Sequence, residues 1–289
     1  MPHSKSEIHI INSKGEREMF SFQKVYRSAL RAGADKDLAN EIAEIIKKDL
    51  YSGMRTFDIY KKVKKLLARK NYKLALRFSL KQAIRKLGPT GFPFEKYVAE
   101  MFKELGFDVR LNQLLSGKCV AGYEIDFLAE KDNIIYIGEC KYRNLQKNRI
   151  HTNIVLANRA RFLDISNHPF LMSGKYKNYT KKTIIVTNTK FTARAKQYSK
   201  CVDTKLLGWK EPRNNSLENI TENLKFYPIT ILPSLKSRVK DAFVSQKMMF
   251  ARDVLRINPQ KFSKKFKIPL SNLEPLIKEA KILLNSPVA

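Results

Sequence analysis

The sequence predicts an α/β multidomain protein: a helical N-terminal unit opened by a β-hairpin, a central α/β sandwich, and a small helical C-terminal domain. Three observations predict it. Apolar residues at helical spacing fill most of residues 21 to 87. Strand and helix patterns alternate from residue 94 to Trp209. From Trp209 to Ala289 there is no glycine, and apolar residues again recur at helical spacing. The boundaries are 1–90, 91–215 and 228–289.

In the first unit, Ile8–Ile11 begins a strand, Ser13-Lys14-Gly15-Glu16 makes a turn, and a short strand surrounds Glu18-Met19-Phe20. Ser21 is placed to cap a helix through Val25, Ala29 and Leu30. Leu38, Ile42, Ile45 and Ile46 mark a second helix, from Lys36 to Leu50. Thr56 precedes a third with Ile59, Val63, Leu66 and Leu67 inward, and helix continues from Tyr72 to Leu87. Gly88-Pro89-Thr90-Gly91-Phe92-Pro93 is a junction.

A helix follows through Phe94, Val98, Met101, Phe102 and Leu105, ended by Gly106. Phe107–Leu111, Tyr123–Ala129 and Ile134–Lys141 are strands, the last two joined by the turn Lys131-Asp132-Asn133. Helix is expected over 159–164, a buried strand at Thr183–Thr187, and helix again over 192–198. In the C-terminal stretch two helical regions flank a connection carrying Lys261, Lys264, Lys265 and Lys267.

The charge narrows the function. Fifty-six Lys and Arg against 27 Asp and Glu give +29, which implies an anionic polymer as partner. No 18-residue apolar run and no basic amphipathic terminal helix is present, so nucleic acid is favoured over a membrane. Cys119, Cys140 and Cys201 lack paired spacing and do not suggest a zinc site. The polar N-terminus is not a secretory signal, so a soluble, cytoplasmic protein is expected.

The chemistry gathers on the two central strands. Glu139 and Lys141 share a strand face, with Cys140 turned the other way and assigned to the buried side with Ile135 and Ile137. Asp126 comes alongside if the strands form a hairpin. Two carboxylates and a lysine can hold a divalent metal and a positioned cation, the requirements of phosphodiester hydrolysis. Glu95, at the start of the preceding helix, is a further ligand candidate. Glu124 reads as a solvent-facing strand residue, and Gln146 and Lys147 as candidate phosphate contacts.

Phe92-Pro93-Phe94-Glu95, Glu124-Ile125-Asp126 and Glu139-Cys140-Lys141 resemble the PD-(D/E)xK nuclease superfamily, and most of all the Mrr-like restriction endonucleases. The run Ile184–Ala195 resembles that family's "VT…FT..A" segment, and Leu206–Trp209 its next strand. The resemblance covers about 91–212. It implies a restriction-endonuclease-like domain, Asp126, Glu139 and Glu95 as ligands for Mg²⁺ or Mn²⁺, and Lys141 as the catalytic lysine.

Lys14-Gly15, Glu18, Phe20 and Lys24, with Thr56-Phe57-Asp58-Ile59, resemble the ATP-cone, a regulatory nucleotide-binding module. This implies Lys14, Glu18, Lys24 and Thr56 around ATP or dATP. The module usually carries a Lys-Arg pair where this chain has Asn12-Ser13. The C-terminal stretch faintly resembles a helix-hairpin-helix DNA-binding arrangement without its glycines.

The expected function is a metal-dependent DNA endonuclease in a homo-oligomer, with a nucleotide effector gating it across the 88–93 junction. The alternatives are a junction resolvase on the same fold and a nuclease-inactive, nucleotide-responsive DNA-binding regulator.

Overall fold

The computed structural model describes residues 8–88, 93–145 and 148–284. Chain contacts divide it into two units. One holds the described residues up to Ala83 with Ile231–Leu235 and the described residues from Ile257 onward; the other holds Ile84–Thr230 and Lys236–Arg256.

The first unit opens with β1 (His9–Ile11) and β2 (Arg17–Met19), paired antiparallel. Asn12 shapes their turn by accepting from the Lys14 and Glu16 amides at 2.8 and 3.2 Å. Ser21 caps α1 (Phe22–Arg31) and Asp35 caps α2 (Lys36–Lys48). α3 (Thr56–Lys70) starts on Thr56 itself, after Arg55, with no side-chain cap. α4 (Tyr72–Phe78) follows. Val25, Ala29, Ile42, Ile46, Ile59, Val63 and Leu67 form one core, as their spacing predicts.

The single helix expected from Tyr72 to Leu87 is broken at Ser79, beyond which α5 (Leu80–Arg85) begins. The Ser79 hydroxyl donates to the Ala75 carbonyl at 3.0 Å and lies 3.2 Å from the Tyr60 hydroxyl, a side-chain alternative to helical bonding.

The second unit is an α/β layer structure. α6 (Phe94–Glu104) leads into β3 (Asp108–Leu115), β4 (Tyr123–Lys131) and β5 (Ile134–Cys140). Then come β6 (Arg149–Ile150), α7 (Thr152–Ser166), α8 (Pro169–Met172), β7 (Thr180–Val186), β8 (Lys190–Phe191), α9 (Ala193–Cys201) and β9 (Thr204–Leu207). The sheet runs β3-β4-β5-β7-β9. Its first three strands are antiparallel; β5, β7 and β9 are parallel, linked through α7 and α9.

Two details of the sheet set the site. Phe127 faces Gly138 across the β4–β5 pair. A Cβ on Gly138 would come within 2.2 Å of the Phe127 ring, so only glycine permits this register. On β4, the β3 ladder skips Asp126, opposite Asn112 at φ 51°. Strict alternation is lost there, and Ile125 joins Leu128, Ile135 and Ile137 in one cluster with Phe162 and Ile165 of α7.

The grouping of Ile135 and Ile137 with Cys140 is corrected. Their parity is that of Glu139, so the carboxylate stands in line with the apolar face that α7 covers.

The C-terminal stretch, read from sequence as one domain over 228–289, is shared between the units. After α10 (Leu217–Asn223), α11 (Ser237–Ser245) and a 3₁₀ turn at Ala251–Leu255 belong to the second. α12 (Pro259–Phe266) and α13 (Leu270–Leu284) belong to the first. Lys261, Lys264 and Lys265, expected in a connection, lie on α12. Asn258 caps that helix, Pro259 opens it, and the Phe262 and Phe266 rings meet at a tilt with centroids 4.6 Å apart. Among the described residues no helix is long and apolar enough to cross a membrane.

Candidate active site

Beyond the Phe127–Gly138 pair, β4 and β5 present Asp126 and Glu139 next to each other at one end of the sheet. Asp126 Oδ2 accepts the Cys140 amide at 2.6 Å. Glu139 is buried. Its Oε1 pairs with the Lys141 ammonium, and its Oε2 accepts from Arg161 Nη2 of α7 at 2.7 Å. Arg161 Nη1 also donates to the Glu124 carbonyl at 3.2 Å. One guanidinium thus ties together the ends of both strands.

Burial raises the Asp126 carboxyl above the ordinary range. The charges of Glu139 and Glu95 push it the same way, against the Cys140 amide and Lys141. Glu95, in the first turn of α6, therefore lies within electrostatic reach of the pair. A carboxylate suits a helix N-terminus. Neither Glu95 oxygen nor Asp126 Oδ1 accepts a hydrogen bond from the described residues. The Cys140 thiol is raised well above its usual value by burial, then by Asp126, Glu95 and Glu139, which makes it an inert packing group.

The segment after Lys141 is pinned from β7. The Lys141 amide donates to the Val186 carbonyl at 2.8 Å, and Thr187 Oγ1 donates to the Lys141 carbonyl at 2.6 Å. Asn188 closes a two-way clamp on Arg143, accepting its amide and donating to its carbonyl, each at 2.8 Å. Thr189 Oγ1 donates to the Asn148 carbonyl at 2.6 Å. Thr192 caps α9. Gln146 and Lys147 lie outside the described residues.

A divalent cation can be tested against this donor set. Among the described residues no three His, Cys, Asp or Glu side chains close around one point. Mg²⁺ does not require that: one or two carboxylates suffice, with waters and substrate phosphate completing the shell. Asp126 and Glu139 fit this, and Glu139 and Glu95 add negative charge beside Asp126 that a cation would relieve. Both Glu139 oxygens carry cationic partners, so a metal reaches Glu139 by displacing Lys141 or Arg161.

Sequence reasoning missed Arg161 and the Asn188 clamp. The signal for Arg161 was present: it lies three residues after Asn158 and four before Ile165, beside the buried stripe of α7.

In the N-terminal unit, Glu18 and Lys24 are brought together at 3.3 Å, with Asn12 Nδ2 3.5 Å from Glu18. Lys14 pairs instead with Glu16 at 3.5 Å. Thr56 begins α3 beside the hairpin, where the Ile11 amide donates to the Met54 carbonyl at 2.9 Å.

Residues 227–284 match the family described as AF1548-like, C-terminal. An uncharacterized protein of Archaeoglobus fulgidus is 36% identical over 166 residues, 57% of this chain and 87% of that protein. A crystal structure described as the protein of unknown function AF1548 superposes with a TM-score of 0.52 at 34% identity, covering 65% of this chain and 96% of its own.

Proposed function

The chain belongs to the family of this archaeal protein, and we propose that it is a metal-dependent DNA endonuclease acting at Asp126, Glu139 and Lys141. The observation that carries the reading is the juxtaposition of Asp126 with Glu139 at the strand ends, with Lys141 against Glu139.

Asp126 and Glu139 would hold the cation, with Glu95 adding negative charge beside it. When bound, the cation supplies Lewis-acid charge to the phosphodiester and lowers the pKa of an attacking water. Lys141, fixed through its backbone to Val186 and Thr187, offers its ammonium to the charge that develops on the phosphate. Arg161 positions Glu139. The clamp on Arg143 holds a basic segment beside Lys141, where a DNA backbone would pass. The +29 charge supports a polyanionic substrate, bound with a steep salt dependence.

The finer reading keeps a nucleotide effector at the N-terminal unit, near Glu18, Lys24 and Thr56. It is supported by the closeness of the hairpin to the uncapped start of α3.

The test is a cleavage panel on plasmid, linear duplex and four-way junction DNA with Mg²⁺ or Mn²⁺, with and without ATP. Cleavage is expected from the wild type, with loss in Asp126→Ala, Glu139→Ala and Lys141→Ala. Unchanged cleavage in Asp126→Ala or Glu139→Ala sinks the proposal. Preference for the junction selects the resolvase alternative, and binding with no cleavage under any metal the inactive regulator.

A further inference from the structure

α7 has two faces that both read as interior. Val155, Asn158, Phe162 and Ile165 are buried in the second unit. The opposite face meets solvent. From 152 to 167 the exposed residues are Asn153, Leu156, Ala157, Ala160, Leu163 and Asn167, and none is charged. Leu156 is 48% exposed and Leu163 44%. On a chain with 56 Lys and Arg, an outward helix face without a single charge calls for a covering partner.

The charged side chains of α7 are all engaged elsewhere. Arg159 lies over the Phe162 ring at 5.2 Å. Arg161 holds Glu139 at 2.7 Å. Asp164 accepts the Cys119 and Val120 amides at 2.8 and 3.1 Å and the Tyr123 hydroxyl at 3.1 Å. These last bonds tie the loop before β4 to α7. Between them runs an open groove, with Lys118, Cys119 and Tyr123 on one side and Ala157, Ala160 and Leu163 on the other. Val120, 48% exposed, adds apolar surface on the loop.

The order of the stripe identifies its occupant. Asn153, Leu156, Ala160, Leu163 and Asn167 stand at alternating steps of three and four, one line along a helix. Read from either end, the line is Asn, Leu, Ala, Leu, Asn. A two-fold axis demands such a surface, because residue i meets j and j meets i. Two antiparallel copies put Leu156 beside Leu163 of the second copy on both sides of the axis. Ala160 lies at the centre, where a methyl side chain lets two helices approach closely. Nucleic acid does not suit this face: it is gripped at its phosphates by cations, and the stripe presents none.

We propose that the outer face of α7 is a homodimer interface, closed by a two-fold axis near Ala160, with the groove beside Ala157 and Ala160 taking a leucine of the second copy. Arg159 flanks the stripe, and each copy carries +29, so association is opposed by charge and strengthens as salt screens it. Arg161, next along α7, holds Glu139, so the pairing brings two such carboxylate sites into one particle. The interface is independent of whether those sites cleave DNA, and mass rather than cleavage tests it.

The full chain is followed by sedimentation equilibrium across the micromolar range, at about 0.3 M salt and above so that residual nucleic acid does not bridge copies. An equilibrium between monomer and dimer is expected, with micromolar affinity for so small an interface. It should tighten with salt and stop at the dimer, since a two-fold contact closes. Ala160→Lys sets a like charge against itself at the axis and should weaken association by about a hundredfold. Leu156→Ala removes packing on both sides of the axis and should weaken it by about tenfold. Both positions are exposed, so the monomer should keep its fold, which melting curves check. Asn214→Lys adds the same charge to an exposed turn and should leave the dimer intact. A monomer at every concentration overturns the proposal. So does a dimer untouched by Ala160→Lys, weakened as much by Asn214→Lys, loosened by salt, or growing into larger oligomers.

Discussion

Arg161→Ala separates two roles of Glu139, as an anion held by the protein and as an anion available to a metal. Arg161 contributes a 2.7 Å bond to Glu139 Oε2 and a 3.2 Å bond to the Glu124 carbonyl. A hydrogen bond to a charged group is worth about 1.5–3 kcal/mol. The Arg161 side chain is 24% exposed, and Lys141 remains on the other oxygen, so part of that value is screened or retained. The expected loss without metal is about 1–2 kcal/mol, a fall in Tm of roughly 2–8 °C. The effect on metal runs the other way. Removing the guanidinium frees Oε2 and removes a positive charge, so Mg²⁺ should bind about three- to tenfold more tightly, worth roughly 0.7–1.4 kcal/mol. Thermal melts over a Mg²⁺ series read both quantities, because a ligand bound only to the native state stabilises it by RT ln(1 + [L]/Kd). Weaker or unchanged Mg²⁺ binding in the variant would refute Glu139 as a metal ligand in competition with Arg161. Unchanged stability without metal would refute the structural half of the argument.

Three further outcomes follow from packing and charge. Gly138→Ala places a Cβ 2.2 Å from the Phe127 ring and should cost about 1–3 kcal/mol. Denaturation and cleavage should fall together, because Asp126 and Glu139 adjoin that pair, and adding Phe127→Leu should recover part of both. Asn188→Ala leaves the Arg143 amide and carbonyl without their clamp. The expected cost is about 1–3 kcal/mol, with faster hydrogen exchange confined to the segment after Lys141. Glu130 is a pH probe away from the site. Burial pushes its carboxyl up, but bonds from Lys175 and Tyr176 and the charge of Arg110 outweigh it and hold the carboxyl below its usual range. Its stabilisation is therefore present above the ordinary carboxylate range and lost as pH falls through the lowered value. Glu130→Gln should lower Tm at pH 7, with the gap to wild type closing on acidification; a gap independent of pH would overturn this reading.

The sequence was legible where one period or one residue type decides the structure. The helix faces of α1 to α3 follow from apolar spacing, the Ser21 cap from its position, and the end of α6 from Gly106 at φ 85°. Asp126, Glu139 and Lys141 were legible because adjacent strands with a short turn force their ends together. Residues whose partners are distant in sequence were harder to see. Arg161 reaches a carboxylate 22 positions away, and Asn188 clamps a backbone 45 positions away. The parity of β5 was misjudged because a buried glutamate in line with Ile135 and Ile137 contradicts the usual rule for apolar faces. Only a partner such as Arg161 makes that placement tolerable. The division of the C-terminal stretch was illegible for another reason: helical spacing identifies an apolar face but not the core that receives it.

The position of the site follows from the sheet's change of direction. β5 alone is antiparallel to one neighbour, β4, and parallel to the other, β7. The antiparallel side brings Asp126 to Glu139 through a tight turn. The parallel side demands a crossover, so the chain must leave the sheet directly after Cys140 and travel through α7 before returning as β7. Leaving the sheet frees backbone groups of Lys141, Arg143 and Asn148, and Thr187, Asn188 and Thr189, just after β7, satisfy them. The crossover helix in turn carries Arg161 back over Glu139. Lys141 is thus held at the point where the strand ends and the crossover begins. Breaking the Asn188 clamp should therefore lower cleavage more than it lowers global stability, which a comparison of cleavage rate with Tm in Asn188→Ala would measure.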